Sequence, residues 1–394
     1  MLLTLKERSP EIYTQRRDRF LADLPQGCAV FGMGSALGAG SKSHGALRFL
    51  SGWDGQEASS LLMLLAGEAC LLISSPFMLP IAKEVVPELN PEFLPQENWS
   101  DAFATFFETQ NPAWIGANEL PASVYEKLRG QIRGGMDATP CLDRLRLQKD
   151  NGAISLHRDG GAICDHLFGL LPGLVEIGKP VSRIQTELEY EAKCKGADYC
   201  NTWLTIRPIA DRPRYWPLEN RDYVKENSQI MLGVALTVDG HWAHAIRMSY
   251  LGQPDPRHEA FHKIVESALS AGIDRLKVGE IISAPMEAME AHLRKMDFEG
   301  MYGPSCGFRH GHGLGLSYED PVLTDYFPQE FGAQYASDVR QGPEVMQAGM
   351  LFELHPNLFF EGVGGAALGD MVLTTDQGPQ TLTNFPRGLI KIGS

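Results

Sequence analysis

The run Gly307-Phe308-Arg309-His310-Gly311-His312-Gly313-Leu314-Gly315-Leu316 constrains this chain more than any other stretch. Glycine on both sides of His312 leaves the imidazole unshielded and lets a ligand or metal approach the backbone closely. A histidine so placed is expected to belong to a site; the structural alternative is a glycine-rich turn carrying surface histidines. Ser317-Tyr318-Glu319-Asp320-Pro321 follows, adding Tyr318 and Glu319 as acid or base groups.

At 394 residues the chain exceeds what one hydrophobic core supports, so two domains are expected. A formal net charge of -14 argues against nucleic acid, which needs clustered Lys and Arg to neutralise phosphate. Seven cysteines, at 28, 70, 141, 164, 194, 200 and 306, are odd in number and form no CxxC pair. Reduced thiols in a cytoplasmic protein fit that pattern. Charge at Lys6-Glu7-Arg8 interrupts any signal-peptide core, and no apolar run reaches the ~20 residues that span a bilayer.

Residues 9–23 read as a helix with Pro10 near its start, and Cys28 to Gly32 and Leu61 to Ser75 as strands. Strands alternating with helices indicate an α/β domain. The piece Gly32-Met-Gly-Ser-Ala-Leu-Gly38 has the wrong glycine spacing for a dinucleotide fingerprint and reads as a loop, so no nucleotide cofactor is expected. Gly134-Gly135 before Thr139-Pro140 marks the domain boundary, dividing the chain into 1–138 and 139–394. Beyond it the periodicity predicts two helices over 141–171, stopped by Pro172-Gly173, and a third over 184–195. Strands are expected at 202–206, 230–238 and 242–250, helices at 257–271 and 280–295, and strands at 350–360 and 371–375. Helices and hairpins recur in the same order, which suggests a doubled unit.

These pieces together resemble the creatinase, aminopeptidase P and prolidase family. The resemblance is carried by Tyr13-Thr-Gln-Arg-Arg-Asp-Arg-Phe20, by Leu47-Arg-Phe-Leu-Ser-Gly-Trp-Asp-Gly-Gln-Glu57, and by Asp143-Arg-Leu-Arg-Leu-Gln-Lys-Asp-Asn-Gly-Ala153. Its most specific part is Gly311-His312-Gly313-Leu314-Gly315-Leu316, similar to the family's GHGxGL strand, with Met350-Leu-Phe-Glu-Leu-His-Pro356 and Leu368-Gly-Asp-Met-Val-Leu-Thr-Thr375 behind it in order. The resemblance implies a small N-terminal α/β domain and a C-terminal pita-bread domain with pseudo-two-fold symmetry. It further implies a homodimer, and C–N bond hydrolysis with two metal ions held by two Asp, one His and two Glu.

This chain departs from that ligand set. Against the family pattern the two Asp positions fall on Gly233 and His244, the His on His312, and the two Glu on His355 and Gly369. Two further family histidines fall near Trp216 and on Glu319. The resemblance places His244, His312 and His355 around one of the two ions, which implies a mononuclear three-histidine site. Three neutral imidazoles suit one Zn, Fe, Cu or Ni ion rather than a pair of hard cations. Glu353 lies two residues before His355 on one strand, hence on the same face, as fourth ligand, general base or hydrogen-bond partner of an imidazole. Arg247 and Arg309 are expected to attract an anionic substrate group, with His241, His310 and Trp216 lining the pocket.

Several functions remain open at this point. A single His-bound divalent ion (Fe, Zn or Cu) acting on a small anionic or amino-acid-like molecule fits hydrolysis, and it fits redox or oxygen chemistry. A metal-free creatinase-like enzyme would use His312 with Glu353 or Glu319. A conventional Xaa-Pro aminopeptidase and a non-catalytic binding module are the remaining readings. No membrane or nucleic-acid partner is expected.

Overall fold

The computed structural model describes residues 10–33, 42–55, 58–108, 110–209, 211, 221–253, 256–295, 310–318, 345–360 and 362–393. The chain divides into two compact units, Met1–Arg146 with Leu316–Tyr318, and Leu147–Gly315 with Glu319–Ser394. Of the glycine-rich piece 32–38 expected as a loop, residues 34–38 lie outside the described residues.

The first unit runs α1 (Pro10–Leu21), β1 (Cys28–Gly32), α2 (Lys42–Ser51), β2 (Ser60–Leu65), β3 (Glu68–Ile73), α3 (Leu79–Val85), β4 (Glu92–Phe93), α4 (Trp99–Phe107), β5 (Ala113–Ile115) and α5 (Ala122–Ile132). Its five-stranded sheet has the order β4-β3-β2-β1-β5. Val30, Leu62, Leu64, Leu71 and Ile73 feed one core while Phe31, Leu61, Met63 and Leu72 feed another. A strand buried on both faces has no polar alternation, which explains the unbroken apolar run of β2.

The second unit begins within α6 (Thr139–Leu147) and continues through α7 (Asn151–Leu174), α8 (Val181–Cys194), β6 (Tyr199–Pro208), β7 (Ser228–Val238) and β8 (His241–Leu251). Then follow α9 (Pro256–Ile273), α10 (Ala284–Lys295), β9 (Gly311–Gly313), β10 (Leu351–Leu354), β11 (Asn357–Phe360), β12 (Gly364–Ala367), β13 (Asp370–Thr375), β14 (Gly378–Thr381) and β15 (Ile390–Ile392). A helix pair followed by antiparallel strands thus occurs twice. The first repeat builds the sheet β15-β8-β7-β6 and the second the sheet β14-β13-β10-β9. The two sheets meet at an antiparallel bridge, where Ile246 N donates to Gly369 O (3.2 Å) and Gly369 N to Ile246 O (3.0 Å).

Side-chain alternation sorts each strand into two faces. On β8, Ala243 and Arg247 face α7: a Cβ added to Gly160 of α7 would stand 2.6 Å from Ala243 Cβ, and Arg247 lies over the Phe168 ring. His244, Ile246 and Met248 face the other way, the latter two into a small core with Met231, Phe359 and Ala367.

Several expectations need correction. α7 runs through Pro172 to Leu174, because the proline removes only its own donor while Val175 N still bonds Leu171 O. The strand expected over 350–360 is two, broken at His355-Pro356, where the chain leaves β10 and starts the separate β11–β12 ribbon. The helix expected from Glu280 starts at Ala284, since Ile281 is held in a bridge to Val345.

Candidate metal centre

His244 comes from β8, His312 from β9, Glu353 from β10, and His355 from the residue after β10's end. β9 and β10 pair antiparallel with His312 opposite Glu353, so both side chains leave the sheet on one face. All four are buried, His312 and Glu353 completely.

Glu353 Oε2 is their common point. It lies 3.5 Å from His244 Nδ1, 3.6 Å from His312 Nε2 and 3.3 Å from His355 Nε2. The ring centroids stand 5.7 Å (His244 to His312), 5.5 Å (His312 to His355) and 6.1 Å (His244 to His355) apart. His312 Nδ1 lies 2.9 Å from the Gly313 carbonyl, so that nitrogen is the donor and the Nε2 lone pair faces Glu353.

These distances suit a cation. Two ligands of a tetrahedral ion with bonds of about 2.1 Å stand roughly 3.4 Å apart. One donor atom each from His244, His312 and Glu353 lie within 4.8 Å of one another. His355 falls outside that mutual set while adjoining its carboxylate oxygen. A carboxylate and three imidazoles converging away from water form a set of donors whose burial a cation between them would offset.

Other predicted site residues take different places. Arg247 faces α7, an odd three residues from His244 and therefore on the opposite face of the strand. All five of its N–H groups are engaged: Nη2 with Asp370 Oδ1 (2.7 Å) and Phe385 O (2.7 Å), Nη1 with Gly369 O (2.8 Å) and Ile246 O (2.9 Å), and Nε with Pro386 O (3.2 Å). These bonds tie it to the chain around Asp370. Asp370 also receives Arg387 Nε at 2.6 Å and Thr383 Oγ1 at 2.8 Å. His241, of the same parity as Arg247, packs edge-on to His157 of α7 with centroids 5.3 Å apart. His310 Nε2 lies 3.0 Å from Glu290 Oε2 of α10. Tyr318 is half-buried in the first unit. Trp216, Arg309 and Glu319 lie outside the described residues.

Trp203 was not foreseen. It pairs directly with Gly233 across β6 and β7, and its ring stands 5.0 Å from that of His244 at 80°. Only the strand register reveals it, because nothing near Trp203 in sequence points to a site.

The match to "Metallopeptidase family M24" covers residues 155–376, more than half of the chain, and the chain belongs to that family. A relative, the Xaa-Pro dipeptidase of Lactobacillus helveticus, is 22% identical over 326 residues, which make up 77% of this chain and 83% of that one. The crystal structure of dipeptidase PepE from Mycobacterium ulcerans matches with a TM-score of 0.77 at 18% identity, covering 98% of this chain and 99% of that one. The prolidase from Pyrococcus horikoshii OT3 matches with a TM-score of 0.76 at 17% identity, covering 96% and 99%. The fold is therefore mixed α/β and similar to that of prolidases and X-Pro aminopeptidases, the pita-bread architecture.

Proposed function

We propose that this chain is a metal-dependent hydrolase cleaving a C–N bond in a small, amino-acid-like substrate, built on one transition-metal ion rather than two. The observation that carries this reading is the convergence of His244, His312 and His355 on Glu353 Oε2, at 3.3–3.6 Å. His244, His312 and Glu353 form the donor set, and His355 is the fourth donor beside them. When bound, the ion supplies Lewis acidity and an activated water at neutral pH.

The residues divide the remaining work. Gly313 O fixes the His312 tautomer, so Nε2 is ready to bind without rearrangement. Glu353 brings the single negative charge, leaving a divalent centre positive towards an incoming carbonyl or carboxylate. Arg247 gives no help with an anionic group, since its donors are engaged elsewhere, and that task falls to the ion itself.

The surroundings of Gly233 support a single ion. A Cβ there would meet Trp203 Cε3 at 3.2 Å and Ile246 Cγ1 at 3.8 Å, so hydrocarbon fills the space in which a second hard cation would need oxygen ligands. A redox reading has one specific observation in its favour: two histidines and one carboxylate are also the facial ligand set of mononuclear non-haem iron sites. A homodimer in the cytoplasm belongs to the same proposal, supported by the family resemblance and by the free thiols of Cys28, Cys70, Cys141, Cys164, Cys194 and Cys200.

Metal content of protein purified without chelators tests this. The expected result is one equivalent, lost in His244→Ala and His312→Ala, with dipeptide cleavage abolished by chelation. Two equivalents of manganese with robust Xaa-Pro cleavage would overturn it, and so would full activity in chelator. One equivalent of iron with no hydrolysis would move the assignment to redox chemistry.

A further inference from the structure

We propose that Gly369 determines which metal ions this centre accepts, because the missing side chain at 369 is what admits the Glu353 carboxylate. This rests on the single-ion reading above and adds a residue that is not itself a donor. Gly369 is not among the glycines with positive φ, so its backbone conformation suits any residue. Space is what demands glycine here.

A Cβ at 369 would overlap Glu353 Oε1 and stand 3.0 Å from Ile246 N and 3.1 Å from Ile246 Cγ1. Ile246 cannot withdraw, since its N–H and carbonyl are bonded to Gly369 itself at 3.2 and 3.0 Å. The Glu353 backbone is held as firmly, paired with His312 on one side and Met371 on the other. What yields is the carboxylate at the far end of the Glu353 side chain, through its side-chain torsions. Turning Oε1 aside carries Oε2 with it, and Oε2 is the atom that faces all three imidazoles.

Selectivity follows from donor chemistry. With the carboxylate in place the centre offers nitrogen together with a charged oxygen, which holds hard ions such as Mn(II). With it displaced the centre offers imidazole alone, which still suits Zn(II) and Co(II) but holds Mn(II) poorly. Gly369 is thus a positioning residue acting through Glu353.

Calorimetric titration of metal-free protein with Mn(II), Co(II) and Zn(II) tests this on wild type, Gly369→Ala, Glu353→Gln and the double variant, with circular dichroism and melting as fold controls. Wild type is expected to bind one equivalent. Gly369→Ala is expected to lose about 10- to 100-fold in Mn(II) affinity, as losses of supporting residues do, with a smaller loss for Zn(II) and a near-native melt. Glu353→Gln is expected to shift selectivity the same way, and the double variant to add little, since both act on one group. Native Mn(II) affinity in Gly369→Ala would overturn the proposal. So would additive losses, or a Gly369→Ala protein that no longer folds, because then the carboxylate is not what yields. A wild type that binds no ion would overturn the single-ion reading and this proposal with it.

Discussion

The indole of Trp203 stands edge-on to the imidazole of His244, centroids 5.0 Å apart at 80°, while the same Trp203 pairs across strands with Gly233. One side chain thus fills the space that Gly233 leaves and packs against the ring of His244, a donor in the proposed centre. An edge-to-face pair of this kind contributes about 0.5–1.5 kcal/mol beyond its buried area. Trp203→Leu is therefore expected to weaken Co(II) binding by roughly tenfold, the equivalent of 1.4 kcal/mol, with the fold retained. Unchanged affinity by calorimetry would show that His244 is held by something else.

Arg247 and Asp370 form a buried ion pair in which the arginine also satisfies four carbonyl contacts. Removing one member of such a pair costs about 3–5 kcal/mol, because the other charge stays buried. Arg387 remains on Asp370, so Arg247→Met should fall near the lower end, about 3 kcal/mol by urea denaturation. Lysine should not rescue it, lacking the fork that reaches both sides. A variant with native stability and a raised KM would instead identify Arg247 as a substrate contact.

Acid should loosen α7 from β8. His157 is buried with Nδ1 2.8 Å from Trp242 O, and burial, aided by His241 and Lys149, holds its pKa well below 6.5. The unfolded chain takes up that proton near pH 6.5 while the folded chain refuses it. Its contribution to stability is thus complete above about pH 6.5 and declines as pH falls below that value. The destabilisation caused by His157→Gln, read from melting temperatures, is expected to shrink between pH 7.5 and pH 5. A penalty that grows on acidification would refute this.

Two glycines of α7 should respond oppositely to alanine. At Gly160 an added Cβ lands 2.6 Å from Ala243 Cβ, next to His244; at exposed Gly169 its nearest contact is Phe385 Cε2 at 3.8 Å. Gly169→Ala should stabilise by up to ~1 kcal/mol through helix propensity. Gly160→Ala should lose about 1–3 kcal/mol to overpacking, with metal affinity falling alongside. Denaturant titrations that give both variants the same sign would contradict the close packing of α7 on β8.

The sequence carried the order of elements and the family resemblance because periodicity and the glycine-rich strand are local signals. It failed where position depends on partners far along the chain. Arg247 and His241 looked like pocket residues from their nearness to His244, yet odd spacing on a strand sends them to the helix side, a conclusion that alternation alone could have supplied. Trp203 and the Glu353–Gly369 contact needed the register of strands brought together from different parts of the chain. The ribbon strand β12, Gly364-Gly-Ala-Ala367, has no pattern to read, since small residues carry neither period.

The bridge between the two sheets has a mechanical consequence. Two backbone hydrogen bonds join Ile246 to Gly369, while His244 belongs to one sheet and His312 and Glu353 to the other. An ion held as proposed, between His244 of one sheet and His312 and Glu353 of the other, would act as a rivet through that joint. Resistance to proteolysis is then expected to rise with metal loading and to fall when the ion is chelated.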